Sequence, residues 1–453
     1  MYYMELRKLK GVKANSISSM IYNARMFYAS IFLLIMTGNA FAQTAREEIM
    51  ENILLSGSNY VAYRGPQKEL TKAPKGLKPF YISHYGRHGS RYLIGDDDYG
   101  IPLNTLVLAE KAGKLTPLGK ATLEKVRTLV GRAAKRQGEL TPLGHQQHRD
   151  IARRMYERFP EVFAGDVHVD AKSTVVIRCI LSMENELQQL LLLNPKLQIT
   201  QDASYHEMPY MNHTDHVLNA QKDVTKVRMD YYDYFNRNFD YKPIAGRLFT
   251  DVKFMEDNCD IYEFVARLFR LASNVQSTES RHDITLYDAF THEELYKLWQ
   301  VTNAWWYLHY GAAPQNGGTQ PYSQRYLLKN IIEQADSAIA LPNPGATLRF
   351  GHETMVLPLT CLLGLNGYDK RIDKVADIEK EGWVNYRVFP MAANIQFIFY
   401  RKNDKDNDVM VKILLNEDEA TLPIESDMAP LYHWKDVREY YLNKIANYEK
   451  SRN

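Results

Sequence analysis

The chain is poor in cysteine, in net charge and in long apolar runs, and each shortage narrows what it can be. Three cysteines in 453 residues, Cys179, Cys259 and Cys361, permit at most one disulfide, so the fold cannot depend on a disulfide framework. Cys179 and Cys361 fall in apolar helical patterns, where buried free thiols are common. No cysteine pair and no His-Glu-x-x-His pattern supports a metal site. A formal charge of +2, from 56 Lys and Arg against 54 Asp and Glu, argues against a general binder of nucleic acid or acidic membranes. The apolar run from Phe27 to Met36 is too short to span a bilayer, and no second stretch approaches membrane length. Preceded by Arg25 and ending Ala40-Phe41-Ala42 before Gln43, it matches a secretory signal peptide and its small-residue cleavage site. Translation from Met20 or Met26 would give the leader a more usual length. No cysteine stands immediately after the cleavage point, so a lipid anchor there is not indicated. Residues 1–42 are therefore expected to be a signal peptide, and the mature protein to be exported, periplasmic or secreted, without stable membrane insertion.

What the chain does contain is Ser83-His84-Tyr85-Gly86-Arg87-His88-Gly89-Ser90-Arg91, one imidazole between two guanidinium groups. Pro79-Phe80-Tyr81-Ile82 reads as a short buried strand, which puts Arg87 to Arg91 in the loop at its carboxyl end, where open α/β sheets collect ligands. Arginine forks bind phosphate oxygens bidentately, and a neutral imidazole beside them can attack phosphorus. Thr347-Leu348-Arg349-Phe350 reads as a second strand, followed by Gly351-His352-Glu353-Thr354 and a helical pattern from Met355 to Leu365. His352 and Glu353 thus sit at a helix start, which favours a bound anion, and Glu353 can serve there as a proton donor. Arg178 follows Val175-Val176-Ile177 and opens the pattern carried by Ile180, Leu181, Leu187, Leu190 and Leu191, so three strand ends are expected to offer His or Arg to one side of a sheet. Charge stabilisation by Arg87, Arg91 and Arg178 asks for no metal or cofactor.

On these residues the chain resembles the histidine acid phosphatases, the branch of the histidine phosphatases that includes phytases and multiple inositol polyphosphate phosphatases. The resemblance runs from about Phe80 to Pro423. It also rests on Leu140-Thr141-Pro142-Leu143-Gly144-His145-Gln146-Gln147-His148, on Phe350 to Leu365, and more faintly on Tyr322-Ser323-Gln324-Arg325 and Pro390 to Asn394. It implies a three-layer α/β sandwich with a largely parallel, phosphoglycerate mutase-like sheet and an inserted α-helical cap. It further implies that His88 is a nucleophile forming a phosphohistidine, that Arg87, Arg91, Arg178 and His352 clamp the phosphoryl oxygens, and that Glu353 protonates the leaving alkoxide. The family usually has Asp directly after the second His, or Glu one position further on, whereas here Glu353 precedes Thr354. The substrate expected is a small phosphate monoester, inositol polyphosphates included. A phosphoryl-transferring mutase on the same centre, or a silent phosphate- or sugar-binding protein, would be the alternatives.

Organisation along the chain reads as a core over 43–205, a helical cap over 206–323 and a second core segment over 324–453. Strand-like runs near Phe80, Val167, Thr174 and Leu348 alternate with helical patterns such as Arg149 to Phe159, and Asn394–Tyr400 and Val409–Leu415 read as a terminal strand pair. Leu-Thr-Pro-Leu-Gly occurs at Leu115 and again at Leu140, each copy expected to start a helix with Thr as N-cap and Pro at the first helical position. Other residues receive structural readings. His84 is expected to be structural, His145 with His148 and His213 with His216 solvated, and Trp299, Trp305, Trp306, Tyr307 and Tyr310 mainly core. Asp96-Asp97-Asp98 is expected to face solvent, while Lys68, Lys72, Lys75 and Lys78 could contact phosphates that are not being cleaved.

Overall fold

The computed structural model describes residues 43–212, 215–221 and 224–452, with the side chains of 221 and 224 also left aside. The signal-peptide segment and His213 lie outside the described residues. The chain divides into two units, 1–48 and 49–453, and the elements named here belong to the second.

Eight strands form one sheet in the order β3-β2-β4-β1-β5-β6-β7, with β8 also on β6. They are β1 Lys78–Arg87, β2 His168–Ser173, β3 Gln198–Asp202, β4 Gly345–Gly351, β5 Asn394–Arg401, β6 Met410–Leu415, β7 Asp418–Glu419 and β8 Tyr432–His433. The four strands from β3 to β1 are parallel, and β5 to β8 complete the sheet by antiparallel pairing. The sheet is covered on both faces, which is why β4, β5 and β6 are buried at every residue. Tyr81, Tyr85, Phe397 and Phe399 face one apolar cluster, built with helices Arg325–Ile339, Glu353–Leu363 and Trp434–Ser451. Ile82, Val169, Leu348 and Phe350 face another, under helices Pro142–Arg158 and Ile177–Leu193. Between Met208 and Gln324 every described element is helical, but its core is shared. A third cluster joins Leu106, Leu123 and Val126 to Leu248, Phe264, Leu268 and Leu295, so helices Asp97–Lys111 and Pro117–Ala133 pack with the later helical segment.

Several expectations need correction. The strand expected at Pro79–Ile82 is not four residues but ten, because His84 and Gly86 continue the alternation inside a sheet buried on both faces. Arg87 is therefore the last residue of β1, and His84 lies within it, fully buried. Val175 and Val176 belong to no strand; β2 ends at Ser173, and Arg178 is the second residue of helix Ile177–Leu193. β3 escaped notice because Ile199 is its only apolar residue. His148 is not solvated. It is buried, and its Nδ1 lies 2.7 Å from Glu186 Oε1. Asp98 is buried as well, paired with Arg267 and with Arg270 at 2.9 Å, while Asp96 and Asp97 are exposed. Lys78 opens β1 at the end opposite Arg87, roughly 30 Å away at 3.3 Å per residue, so it cannot touch a phosphate beside His88. Among the described residues no helix is long and apolar enough to cross a membrane.

Candidate active site

The carboxyl ends of β1 and β4 pair as Arg87 with Gly351, and β2 ends beside them with Ser173 opposite Phe350. This places His88 and His352 side by side, with ring centroids 5.7 Å apart and planes at 73°. The backbone that carries His88 is pinned at almost every step. Arg87 N–H donates to Ala393 O at 2.7 Å, His88 N–H to Gly351 O at 2.9 Å, Gly89 N–H to Ser182 Oγ at 3.1 Å and Ser90 N–H to Gln147 Oε1 at 2.8 Å. Asn274 Nδ2 then donates to Arg91 O at 2.9 Å. Such over-determination fixes the position of His88 within a narrow tolerance.

His88 Nδ1 lies 2.9 Å from Gly89 O. A carbonyl can only accept, so Nδ1 carries the proton and Nε2 bears the lone pair. Burial pushes the imidazole well below its ordinary range, and Arg87, Arg178, Arg91 and His352 push it further, so the ring is neutral at physiological pH. His352 is held at about 4, mainly by burial, with Glu353 opposing and the three arginines adding to the depression. It caps helix Glu353–Leu363 in extended geometry with no side-chain capping bond; of the first N–H groups, that of Met355 donates to His352 O at 3.1 Å and that of Glu353 to its own carboxylate.

Arg87 is wholly buried and strongly engaged. Its Nε donates to Glu353 Oε2 at 3.0 Å, and its Nη1 donates to Asn59 O at 2.7 Å and to Phe389 O at 2.8 Å. Burial lowers its pKa to about 10, against the pull of Glu353, which leaves it charged at neutral pH. Glu353 is buried too, and burial alone would raise its pKa. The combined field of Arg87, Arg91 and His352, with a backbone hydrogen bond, outweighs that and holds the carboxyl at about 2. Its Oε2 also lies 3.7 Å from His88 Nε2. Arg178, half-buried, has its pKa lowered by burial and by Arg91.

Four buried polar atoms around this centre have no hydrogen-bond partner among the described residues: Arg87 Nη2, Arg91 Nε, Arg178 Nε and His88 Nε2. Three are cationic donors and one is a nucleophilic lone pair. A buried unpaired guanidinium nitrogen is costly, and an anion is the partner that would relieve it. His88, His352 and Glu353 are also the only three described His, Cys, Asp or Glu residues whose ligand atoms lie within 4.8 Å of one another. With three guanidinium groups around them, the local field favours an anion over a cation.

The structure thus brings together all six residues picked out in the sequence, Arg87, His88, Arg91, Arg178, His352 and Glu353. His145 stands apart, bonded to Asn185 Nδ2 at 2.7 Å, and His148 faces Glu186 under the sheet. Of the aromatic group, Trp299, Trp306 and Tyr307 are core, while Tyr310 is close enough to feel the charge of Glu353. Sequence reasoning missed Asn59, Tyr60 and Thr174. Tyr60 lies under the Arg91 guanidinium, 5.8 Å from its ring centroid, and Thr174 Oγ1 is 3.3 Å from His352 Nε2. Nothing in their local sequence marks them. Gln147 could have been found, since it belongs to the Leu140–His148 stretch already singled out.

A profile of the histidine phosphatase superfamily (branch 2) matches residues 87–416. Multiple inositol polyphosphate phosphatase 1 of Gallus gallus is 22% identical over 412 residues, covering 84% of this chain and 86% of that protein. A multiple inositol polyphosphate phosphatase of Bifidobacterium longum, solved in complex with phosphate, superposes with a TM-score of 0.66 at 17% identity, over 85% of this chain and 97% of that one. The phytase of D. castellii superposes with a TM-score of 0.63 at 14% identity, over 90% and 89% of the two chains.

Proposed function

The chain belongs to branch 2 of the histidine phosphatase superfamily and is a phosphatase, and we propose that it is an exported phosphomonoesterase acting through a phosphohistidine on His88, with inositol polyphosphates among its substrates. The observation that carries this reading is the convergence of three unpaired guanidinium nitrogens on the unpaired Nε2 of a neutral histidine.

A phosphate monoester entering the site takes up Arg87 Nη2, Arg91 Nε and Arg178 Nε, with His352 beside them. At 3.7 Å, His88 Nε2 and Glu353 Oε2 are too close to admit a phosphoryl group, so binding must displace the carboxylate from the histidine. The incoming dianion also cancels the field that holds Glu353 at about 2, and its carboxyl rises toward a range where it can carry a proton. His88 Nε2 then forms a bond to phosphorus as the ester P–O bond breaks, and Glu353 gives its proton to the departing alkoxide. In the second half Glu353, now ionised, takes a proton from water as its oxygen attacks phosphorus, and the P–N bond breaks to restore His88.

Inositol polyphosphates are favoured by likeness to the inositol polyphosphate phosphatases named above. The test has three readouts. His88→Ala should abolish turnover and the acid-labile protein-bound phosphate trapped on the wild type, with the fold intact. Near-normal turnover would remove His88 from its role. kcat/KM for inositol hexakisphosphate should exceed that for a sugar monophosphate at matched pH and low salt, and the reverse preference would sink the substrate assignment alone. N-terminal sequencing of exported protein should begin at Gln43.

A further inference from the structure

The segment Ile53–Tyr60 coils through 3₁₀ turns that break at Ser58, where φ is 57° and ψ is −123°. A non-glycine residue rarely holds such a conformation, and it persists only where surrounding contacts over-determine it. Those contacts are present. Ser58 Oγ accepts from Asn385 Nδ2 at 2.6 Å; Asn385 Oδ1 accepts from Trp299 Nε1 at 3.0 Å, and Asn385 N–H donates to Asn303 Oδ1 at 2.9 Å. All four residues are buried. The ends of the segment are tied separately, through Gln276 Nε2 to Leu54 O at 3.0 Å, Gln276 Oε1 from Ala62 N–H at 3.2 Å and Ser277 Oγ to Tyr60 O at 3.2 Å.

What this strained strap delivers is Asn59 and Tyr60. Asn59 O accepts from Arg87 Nη1 at 2.7 Å, and Asn59 Nδ2 donates to Glu353 Oε1 in a long bond of 3.5 Å. One residue therefore grips both members of the Arg87–Glu353 ion pair, while Tyr60 lies under Arg91. We infer that Ile53–Tyr60 is a positioning strap whose Asn59 carboxamide holds Glu353 by Oε1, while Oε2, which takes Arg87 Nε at 3.0 Å and lies 3.7 Å from His88 Nε2, is the oxygen that faces the reaction and transfers the proton. The inference rests on the reading of Glu353 as acid and base. When a phosphate takes up Arg87 Nη2 and displaces the carboxylate from His88, the Asn59 bond is the tether that keeps the carboxylate aimed, and the rigid backbone around Ser58 keeps Asn59 from following substrate out of line. Asn59 is thus a positioning residue, acting through Glu353.

The experiment compares Asn59→Ala, Asn59→Asp and Glu353→Gln on an alkyl and an activated aryl phosphate monoester across pH. Asn59→Ala should lower kcat on the alkyl substrate by up to about tenfold, less than a short hydrogen bond to a charged group would cost because this one is 3.5 Å long, with a smaller loss on the aryl substrate, whose leaving group needs little protonation. Asn59→Asp sets a second negative charge against Glu353, so the pH limb that Glu353→Gln removes should move upward. Strap anchoring through Gln276, Ser277 and Asn385 is untouched, so the melting temperature reports folding independently. Equal losses on both substrates, or an unmoved pH limb in Asn59→Asp, would overturn the strap's role if Glu353→Gln itself discriminates between them. If Glu353→Gln shows no leaving-group dependence, the acid assignment fails first and the strap's role falls with it.

Discussion

Leu115–Gly119 and Leu140–Gly144 carry the same five residues, fold alike and dock alike, yet only the second touches the loop that carries His88 and Arg91. In each copy the Thr side chain accepts from the Gly N–H, at 3.0 Å for Thr116 and 3.3 Å for Thr141, and Pro occupies the first helical position. In each copy the Thr N–H and hydroxyl also reach out to a neighbouring segment. Thr116 N–H donates to Leu248 O at 3.0 Å and its hydroxyl to Arg247 O at 2.6 Å; Thr141 N–H donates to Ser90 O at 2.9 Å and its hydroxyl to Ser277 O at 2.7 Å. Leu115 bridges Phe249, and Leu140 bridges Arg91. The first copy thus holds one helix of the helical cluster against another, and the second holds the loop between His88 and Arg91. The pentapeptide specifies a docking edge, and function comes from what is docked.

The glycines offer the sharpest way to separate the two. A Cβ on Gly144 would stand 2.3 Å from Ser90 O and 2.9 Å from Ser90 N, and one on Gly119 would stand 2.2 Å from Leu248 O. Both neighbours are backbone and must shift. Gly144→Ala should displace the Ser90 backbone by a sizeable fraction of an ångström, enough to misplace His88 and Arg91 and lower kcat/KM by about 10². Steady-state kinetics on protein of verified helicity would show it. An unaltered kcat/KM would mean that the loop tolerates the shift and that its docking is not tuned for catalysis.

Gly119→Ala should spare kcat/KM and lower stability instead. Alanine in place of a helical glycine gains up to about 1 kcal/mol, while overpacking against backbone costs about 1–3 kcal/mol, so the clash outweighs the gain by up to about 2 kcal/mol. Denaturant midpoints at constant slope would measure the loss. A fall in kcat/KM as large as that of Gly144→Ala would erase the distinction between the two docks.

Acid should also act unequally, because Glu353 lies beside His88, where the loop held by the second copy begins. Its folded pKa of about 2 is depressed from an ordinary 4.5, so its contribution to stability is present above the ordinary value and is lost as pH falls toward 2. Glu353→Gln should remove that component of acid sensitivity between roughly pH 4.5 and 2. An identical acid profile for wild type and variant would show that Arg87 does not hold the carboxylate ionised.

How far the sequence exposed these relations depended on their range. Thr116 and Thr141 were legible as N-caps because a cap is a contact across three residues, and the helix starts followed. His88, Arg87 and Arg91 were legible because one strand end and the loop after it carry them, and His352 with Glu353 because one strand-to-helix junction does. Asn59 was not, since it meets Glu353 across 294 residues through a backbone conformation that its sequence does not advertise. The extent of β1 was misjudged because His84 and Gly86 suit a loop unless both faces of the strand are covered. His148 was misjudged for the same reason, since only the opposing helix supplies Glu186.

The two threonines give the finest comparison. Thr141→Val and Thr116→Val each remove a cap worth about 1 kcal/mol and change shape very little. Beyond that shared cost, the lost hydroxyl leaves a carbonyl without its donor, Ser277 O in one case and Arg247 O in the other. Thr141 is fully buried and Thr116 only partly, so water can replace the donor at Arg247 more readily than at Ser277. Ser90 O and Leu248 O each keep the Thr N–H, so that bond cancels in the comparison. An unsatisfied buried acceptor costs about 1–3 kcal/mol, and a solvated one far less. Thr141→Val should therefore be the more destabilising by about 1 kcal/mol or slightly more, read as the difference between two denaturant midpoints. Equal losses would show that burial of the second dock contributes nothing to its strength, and that the catalytic loop is held no more firmly than the helical cluster.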